Sequence, residues 1–207
     1  MTVSGTAVIQ VVPDQLSWNV TVRTKGQKLP SIAKEHQGAV GKVLALLRAS
    51  AVKEADTQTE RMRFGEDTQY DGHKAVKVGY VASTSVGFTT KEFNSYEGLW
   101  NGLAAIDGVS VDAVAFESAG EADYRAEARQ KAVVAAREKA KALASPLGAS
   151  VGEPLVLEEA ELSVDPWSNN LTRRDLAEDR AAMAIAPGRV AVRARVKATF
   201  RLHVPTK

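Results

Sequence analysis

Apolar and polar side chains alternate without a break from Leu16 to Arg23: Leu16, Trp18, Val20 and Val22 fall on one side, Ser17, Asn19, Thr21 and Arg23 on the other. A period of two predicts a strand with one face buried and one wet. The same alternation runs through Val76, Val78, Tyr80, Ala82, Thr84, Val86 and Phe88. It returns between residues 189 and 204, where Val190, Val192, Val196, Phe200, Leu202 and Val204 share a face. Residues 3–12 are rich in β-branched side chains and stop at Pro13-Asp14, a turn signal, so the chain is expected to open with a hairpin. A second hairpin is predicted around Asp71-Gly72, pairing residues 57–70 with 76–89. Residues 109–117 and 153–164 read as extended.

Three stretches carry the helical period instead. Residues 31–51 place Ile32, His36, Val40, Val43 and Leu47 on one stripe, with Pro30 suited to the first turn. Gly38 and Gly41 weaken that helix and are expected to mark the close approach of another backbone. Residues 92–106 space Phe93, Tyr96, Trp100 and Leu103 helically before Asp107-Gly108 ends the run. Residues 121–148 form the clearest helix: alanine, glutamate, arginine and lysine dominate, no Gly or Pro intervenes before Pro146, and Glu121–Arg125 and Glu127–Lys131 are favourable pairs. Its buried stripe is predicted to hold Ala122, Ala126, Val133, Ala136, Ala140, Leu143, Ala144 and Leu147. Arg129 breaks this stripe and should therefore find a carboxylate or carbonyl partner. The order ββαββαβαββ argues for an α+β fold, two layers deep, with a mainly antiparallel sheet and the long alanine-rich helix packed on it. The whole chain, 1–207, is expected to form a single domain with sub-lobes 1–90 and 91–207. Residues 165–188 lack a steady period and read as a mobile arm.

Composition narrows the function classes more than it selects one. Of 207 residues, 44% are hydrophobic and 25% charged, which fits a folded soluble protein. Basic and acidic residues nearly balance, 27 against 25, so bulk charge gives no reason to expect nucleic acid as a partner. The absence of cysteine excludes disulfides, thiol nucleophiles and thiolate metal sites, and with three methionines it leaves little capacity to scavenge oxidants directly. No apolar run approaches the ~20 residues of a membrane span. Met1 leads straight into a strand pattern without a charged and apolar leader, which implies a cytoplasmic protein or one whose leader was replaced by this Met.

Candidate chemistry is sparse. His36, His73 and His203 stand at none of the spacings that build a metal site, and no nucleophile elbow or phosphate loop occurs. His36 is expected to be a partly buried, hydrogen-bonded residue. No cofactor is implied. Glu60, Glu66, Asp67 and His36 are the polar groups that a pocket between helices and sheet would use if the protein were an enzyme or small-ligand binder. On the last strand Arg189, Arg193, Arg195, Lys197, Arg201 and His203 project opposite the valines as a basic ladder. Glu153, Glu158, Glu159 and Glu161 on the preceding extended stretch are placed to neutralise it, and no aromatic residues interleave to stack bases. Arm residues Trp167, Arg173, Arg174 and Met183, with Arg193, Arg195 and Lys197, form the candidate interaction surface, and Trp167→Ala is expected to reduce self-association.

Four stretches, in order, resemble the SIMPL-domain family. VSGTAVIQVVPDQLSWNV is similar to its opening strand and Pro-Asp turn, with Ala7 and Val12 replacing a usual Gly and Pro. GYVASTSVGF, 79–88, resembles a central strand with Thr84 in place of Asn. Ala136, Arg137, Lys139, Ala140, Leu143 and Ala144, then Leu147-Gly148, match its longest helical motif, and APGRVAVRARVKATFRL from Ala186 resembles its closing strand. The resemblance implies a periplasmic or cell-envelope protein, a homo-oligomer, and a link to oxidative-stress protection, with no catalytic residue to carry over. It also leaves a signalling adaptor as an alternative, because the family has eukaryotic signalling relatives.

Overall fold

The computed structural model describes residues 1–72, 74–160 and 188–204. Its elements are β1 (Thr2–Val11), β2 (Gln15–Gly26), α1 (Leu29–Ala49), β3 (Thr57–Thr59), β4 (Arg63–Asp71), β5 (Lys74–Thr90), α2 (Tyr96–Ala104), β6 (Val109–Glu117), α3 (Glu121–Ala144), β7 (Ser150–Ala160) and β8 (Val190–His203). The class is α+β with antiparallel pairing, as expected. One strand is added to the predicted order, because residues 57–71 break in two. β3 and β4 pair with the same edge of β5, but three residues, 60–62, lie opposite two, 84 and 85, and this bulge interrupts the ladder.

The chain forms two compact units, one from residues 1–13, 117–160 and 188–204 and one from 14–116. The expected sub-lobes 1–90 and 91–207 divide the chain elsewhere. Each unit has its own sheet, and this corrects the opening hairpin: β1 pairs with β8 and β2 with β5. Alternation identified both strands, but it carries no information about which strand lies beside which.

In the first unit the sheet order is β1-β8-β7. β1 and β8 run in unbroken register from Thr2↔Thr199 to Val11↔Val190. α3 lies chiefly over β1 and β8 and touches β7 little. It buries Ala128, Ala132, Ala136, Ala140 and Ala144, a ridge four residues apart. Three of these were on the predicted stripe; Ala122, Val133, Leu143 and Leu147 are exposed instead. The reason is distance. A methyl group on Gly5 of β1 would overlap the Ala132 carbonyl oxygen and the Ala136 nitrogen and stand 2.9 Å from Ala136 Cα. Only a glycine facing a ridge of alanines permits backbones that close, and the larger Val and Leu side chains are turned away. Pro146 and Gly148, the latter in the left-handed region at φ 67°, end the helix as predicted.

In the second unit β3, β5, β2 and β6 are neighbours in that order, and β4 also pairs with β5. The predicted strand face is the core: Leu16, Trp18, Val20 and Val22 are buried with Val86, Phe88, Leu99 and Leu103. α1 contributes Ile32, His36, Val43 and Leu47. Trp18 stacks on Phe88 at 5.5 Å and meets Tyr96 at 5.3 Å, which ties α2 to the sheet. Gly108, at φ 78°, brings its carbonyl within 2.7 Å of the Arg23 nitrogen, which donates to it. Gly38 and Gly41 have open space around them, so no backbone approaches there and they simply weaken α1.

Candidate interaction surface

The basic ladder is real, and its acidic neighbours divide it. β7 sets Glu158 opposite Lys197, and the pair closes at 3.4 Å. Glu153 receives Arg201 Nε at 3.1 Å and stands 3.9 Å from His203 Nε2. All these side chains are more than half exposed, so each pair contributes at most about 1 kcal/mol. Arg193 and Arg195 face away from α3, opposite Val8 and Thr6 of β1. Arg129 finds a carboxylate, Glu159, at 3.7 Å, but both are half exposed rather than covered by neighbours, consistent with the shifted phase of the helix. Trp167, Arg173, Arg174 and Met183 lie outside the described residues, and so does the whole predicted arm apart from Gly188.

The polar groups proposed for a pocket do not converge. Glu60 pairs with Arg63 and Glu66 with Lys77 at 2.7 Å, both at the surface, and the partly covered Asp67 pairs with Lys25 at 2.9 Å. His36 is buried and held from both sides, Nδ1 3.2 Å from Thr24 Oγ1 and Nε2 2.8 Å from Thr84 Oγ1. Burial without a counter-charge pushes its pKa below the ordinary histidine value. It is hydrogen-bonded as expected, but fully rather than partly buried. Among the described residues no three His, Asp or Glu side chains gather closely enough to hold a metal ion, and no helix is long and apolar enough to cross a membrane. The Trp18 Nε1 is buried without a hydrogen-bond partner.

What sequence reasoning passed over is the outer strand of the first unit. Leu155, Val156 and Leu157 are consecutive on β7 and 51%, 46% and 54% exposed. Consecutive apolar residues put side chains on both faces of a strand, so the run itself was the signal. Beside Leu157 a groove of about 450 Å³ runs between β7 and α3, lined by Val133, Arg137, Val151, Glu153, Leu157 and Phe200 among others. α3 leaves this part of the sheet uncovered.

Residues 1–200 match the family SIMPL, described as a protein of unknown function (DUF541). The uncharacterized protein YggE of Escherichia coli K12 and its namesake in Shigella flexneri are each 23% identical to the chain over 142 residues. The match covers 69% of this chain but 58% of those relatives, so the chain spans less than two thirds of their length. An amidase of the hydantoinase/carbamoylase family from Burkholderia phymatum overlaps 58% of this chain and 35% of its own, at 14% identity and a TM-score of 0.27. A likeness that slight carries neither fold nor activity.

Proposed function

The chain belongs to the SIMPL family, and on that footing we propose that it is a non-catalytic, self-assembling protein of the cell envelope with a protective role under stress. The exposed run Leu155–Val156–Leu157 carries the assembly reading. A monomer leaving three consecutive large apolar side chains half exposed forgoes roughly 1 kcal/mol per side chain that a partner surface would recover. The non-catalytic reading is supported by the candidate polar groups standing apart: His36 is clamped in the core and Glu60, Glu66 and Asp67 each lie in a separate ion pair.

Copies carrying two different affinity tags, produced together, test self-assembly directly. Each tag is expected to recover the other; recovery of one tag alone in dilute and concentrated samples contradicts the reading. Fractionation of cells producing the protein from its natural gene tests location, with the envelope fraction expected and an exclusively cytosolic pool opposing it. Protection by assembly rather than by reaction implies that hydrogen peroxide is consumed no faster with the protein than without it.

A further inference from the structure

We propose that the first half of α1, residues 29–41, is an acid-released segment, which lifts off the sheet at Gly38 and Gly41 as His36 takes up a proton. The helix is weakest there. It starts at Leu29 with no side-chain cap on its first turn and no acidic residue to favour its dipole. Of its four buried residues only Ile32 and His36 precede the glycines. Val43 and Leu47 hold the second half, where Leu46 also packs against Gly102 of α2. Gly38 and Gly41 stand in open space, and each weakens the helix by about 1 kcal/mol relative to alanine. Segments with few buried anchors and a weak helical frame open at a lower free energy than the whole fold.

His36 is the anchor that acid removes. Its ring is 1% exposed and lies between Thr24 of β2 and Thr84 of β5. Thr84 is buried, and its hydroxyl makes no other hydrogen bond among the described residues, so its proton goes to Nε2, 2.8 Å away. Nδ1 then carries the ring proton and donates to Thr24 Oγ1 at 3.2 Å, a half-buried hydroxyl whose own proton can turn to water. A second ring proton would sit on Nε2, facing a donor. Thr84 would have to turn its proton away from its one acceptor, and a cation would stand in the core without a counter-charge. Among the described residues no charged side chain faces the ring. Lys34 and Glu35 of α1 are exposed, Arg23 and Lys25 of β2 alternate onto the other face of the sheet, and β5 carries no charged residue from Gly79 to Thr90. The protonated ring is stable only in water, and the segment must lift for it to get there.

A solvated histidine titrates near pH 6.5, and burial holds the closed ring below that value. Below pH 6.5 the open segment binds a proton that the closed one refuses, so the open population rises as pH falls. Between pH 7 and 5 the rise is at most about 25-fold, the limit for a closed ring that stays neutral throughout. Release exposes Ile32, which at neutral pH is buried beside the end of β2 near Gly26.

Hydrogen–deuterium exchange of the full chain, followed by mass spectrometry between pH 7 and pH 5 and corrected for the intrinsic exchange rate, tests the release. Peptides covering residues 29–41 are expected to gain open population by roughly 5- to 25-fold, while peptides from β2 and from residues 43–49 keep theirs. His36→Gln, with no group to titrate, is expected to open equally at both pH values. Because that variant also removes ring packing, the wild-type ring is read directly by nitrogen NMR, with Nδ1 protonated and Nε2 bare expected at pH 7. A flat wild-type profile across 29–41, an equal rise in His36→Gln, or a rise shared in step by β2 and residues 43–49 overturns the proposal. So does a neutral ring protonated at Nε2, since Thr84 would then not be the donor.

Discussion

Replacing Gly5 by alanine should destabilise the first unit more than any other single methyl group added to the described residues of β1. The new methyl would overlap the Ala132 carbonyl oxygen and the Ala136 nitrogen and sit 2.9 Å from Ala136 Cα. These are backbone atoms, so no side-chain rotation relieves the overlap. α3 must rise by on the order of 1 Å to restore ordinary contact near 3.5–4 Å, and a gap of that size forfeits a quarter to a half of each dispersion contact along the ridge. The ridge comprises Ala128, Ala132, Ala136, Ala140 and Ala144, all buried, so the loss spreads over the whole helix–sheet interface. Overpacking of this kind costs about 1–3 kcal/mol and more where the backbone is involved. The stiffer unfolded chain offsets about 0.4–1 kcal/mol. A net loss of about 2 kcal/mol remains, or a fall in Tm of about 4–8 °C for a chain of this length. Thermal melting followed by far-ultraviolet circular dichroism is the suitable assay. Trp18 and Trp100 belong to the second unit and Trp167 lies outside the described residues, so tryptophan fluorescence would not report on the first unit alone. An unchanged or higher midpoint would refute the close-packing explanation of Gly5.

Gly38→Ala places a methyl in open space on an exposed helical position, so it should stabilise the second unit by about 1 kcal/mol, read as a higher urea midpoint; a loss would mean that Gly38 serves a contact. His36 has a folded pKa below its unfolded value near 6.5, so below about pH 6.5 the unfolded state binds the proton first and stability falls with acid. The wild type should therefore lose stability between pH 7 and 5 relative to His36→Asn, and parallel curves would show that His36 is not the titrating group. Glu158→Ala removes an exposed pair with Lys197 and should change stability by less than about 1 kcal/mol, with 0.5 M salt erasing the difference; a larger loss would require a role beyond charge.

Much of the fold was legible because it is local. Leu16, Trp18, Val20 and Val22 declared their face by alternation, and Asp71-Gly72 declared its hairpin, with Gly72 at φ 61°. Pairing between distant residues was not legible. Pro13-Asp14 looks like a hairpin turn, yet the chain leaves one sheet there and enters another, because β8, nearly two hundred residues away, is the partner of β1. The phase of α3 failed for a physical reason: its sheet-facing side was chosen by apolar size, while Gly5 selected for the smallest side chains. The candidate surface divided the same way. The ladder from Arg193 to Lys197 and its acidic neighbours could be read from spacing. The exposure of Leu155, Val156 and Leu157 depends on how far α3 reaches over the sheet, which only the assembled unit defines.

Self-assembly is tested most directly by sedimentation velocity across a hundred-fold range of concentration, at low and high salt, with Leu157→Lys run beside the wild type. A wild-type species at a multiple of 22.1 kDa that persists in salt, and a smaller species for the variant, is the expected result. A single wild-type species at 22.1 kDa under every condition would contradict it.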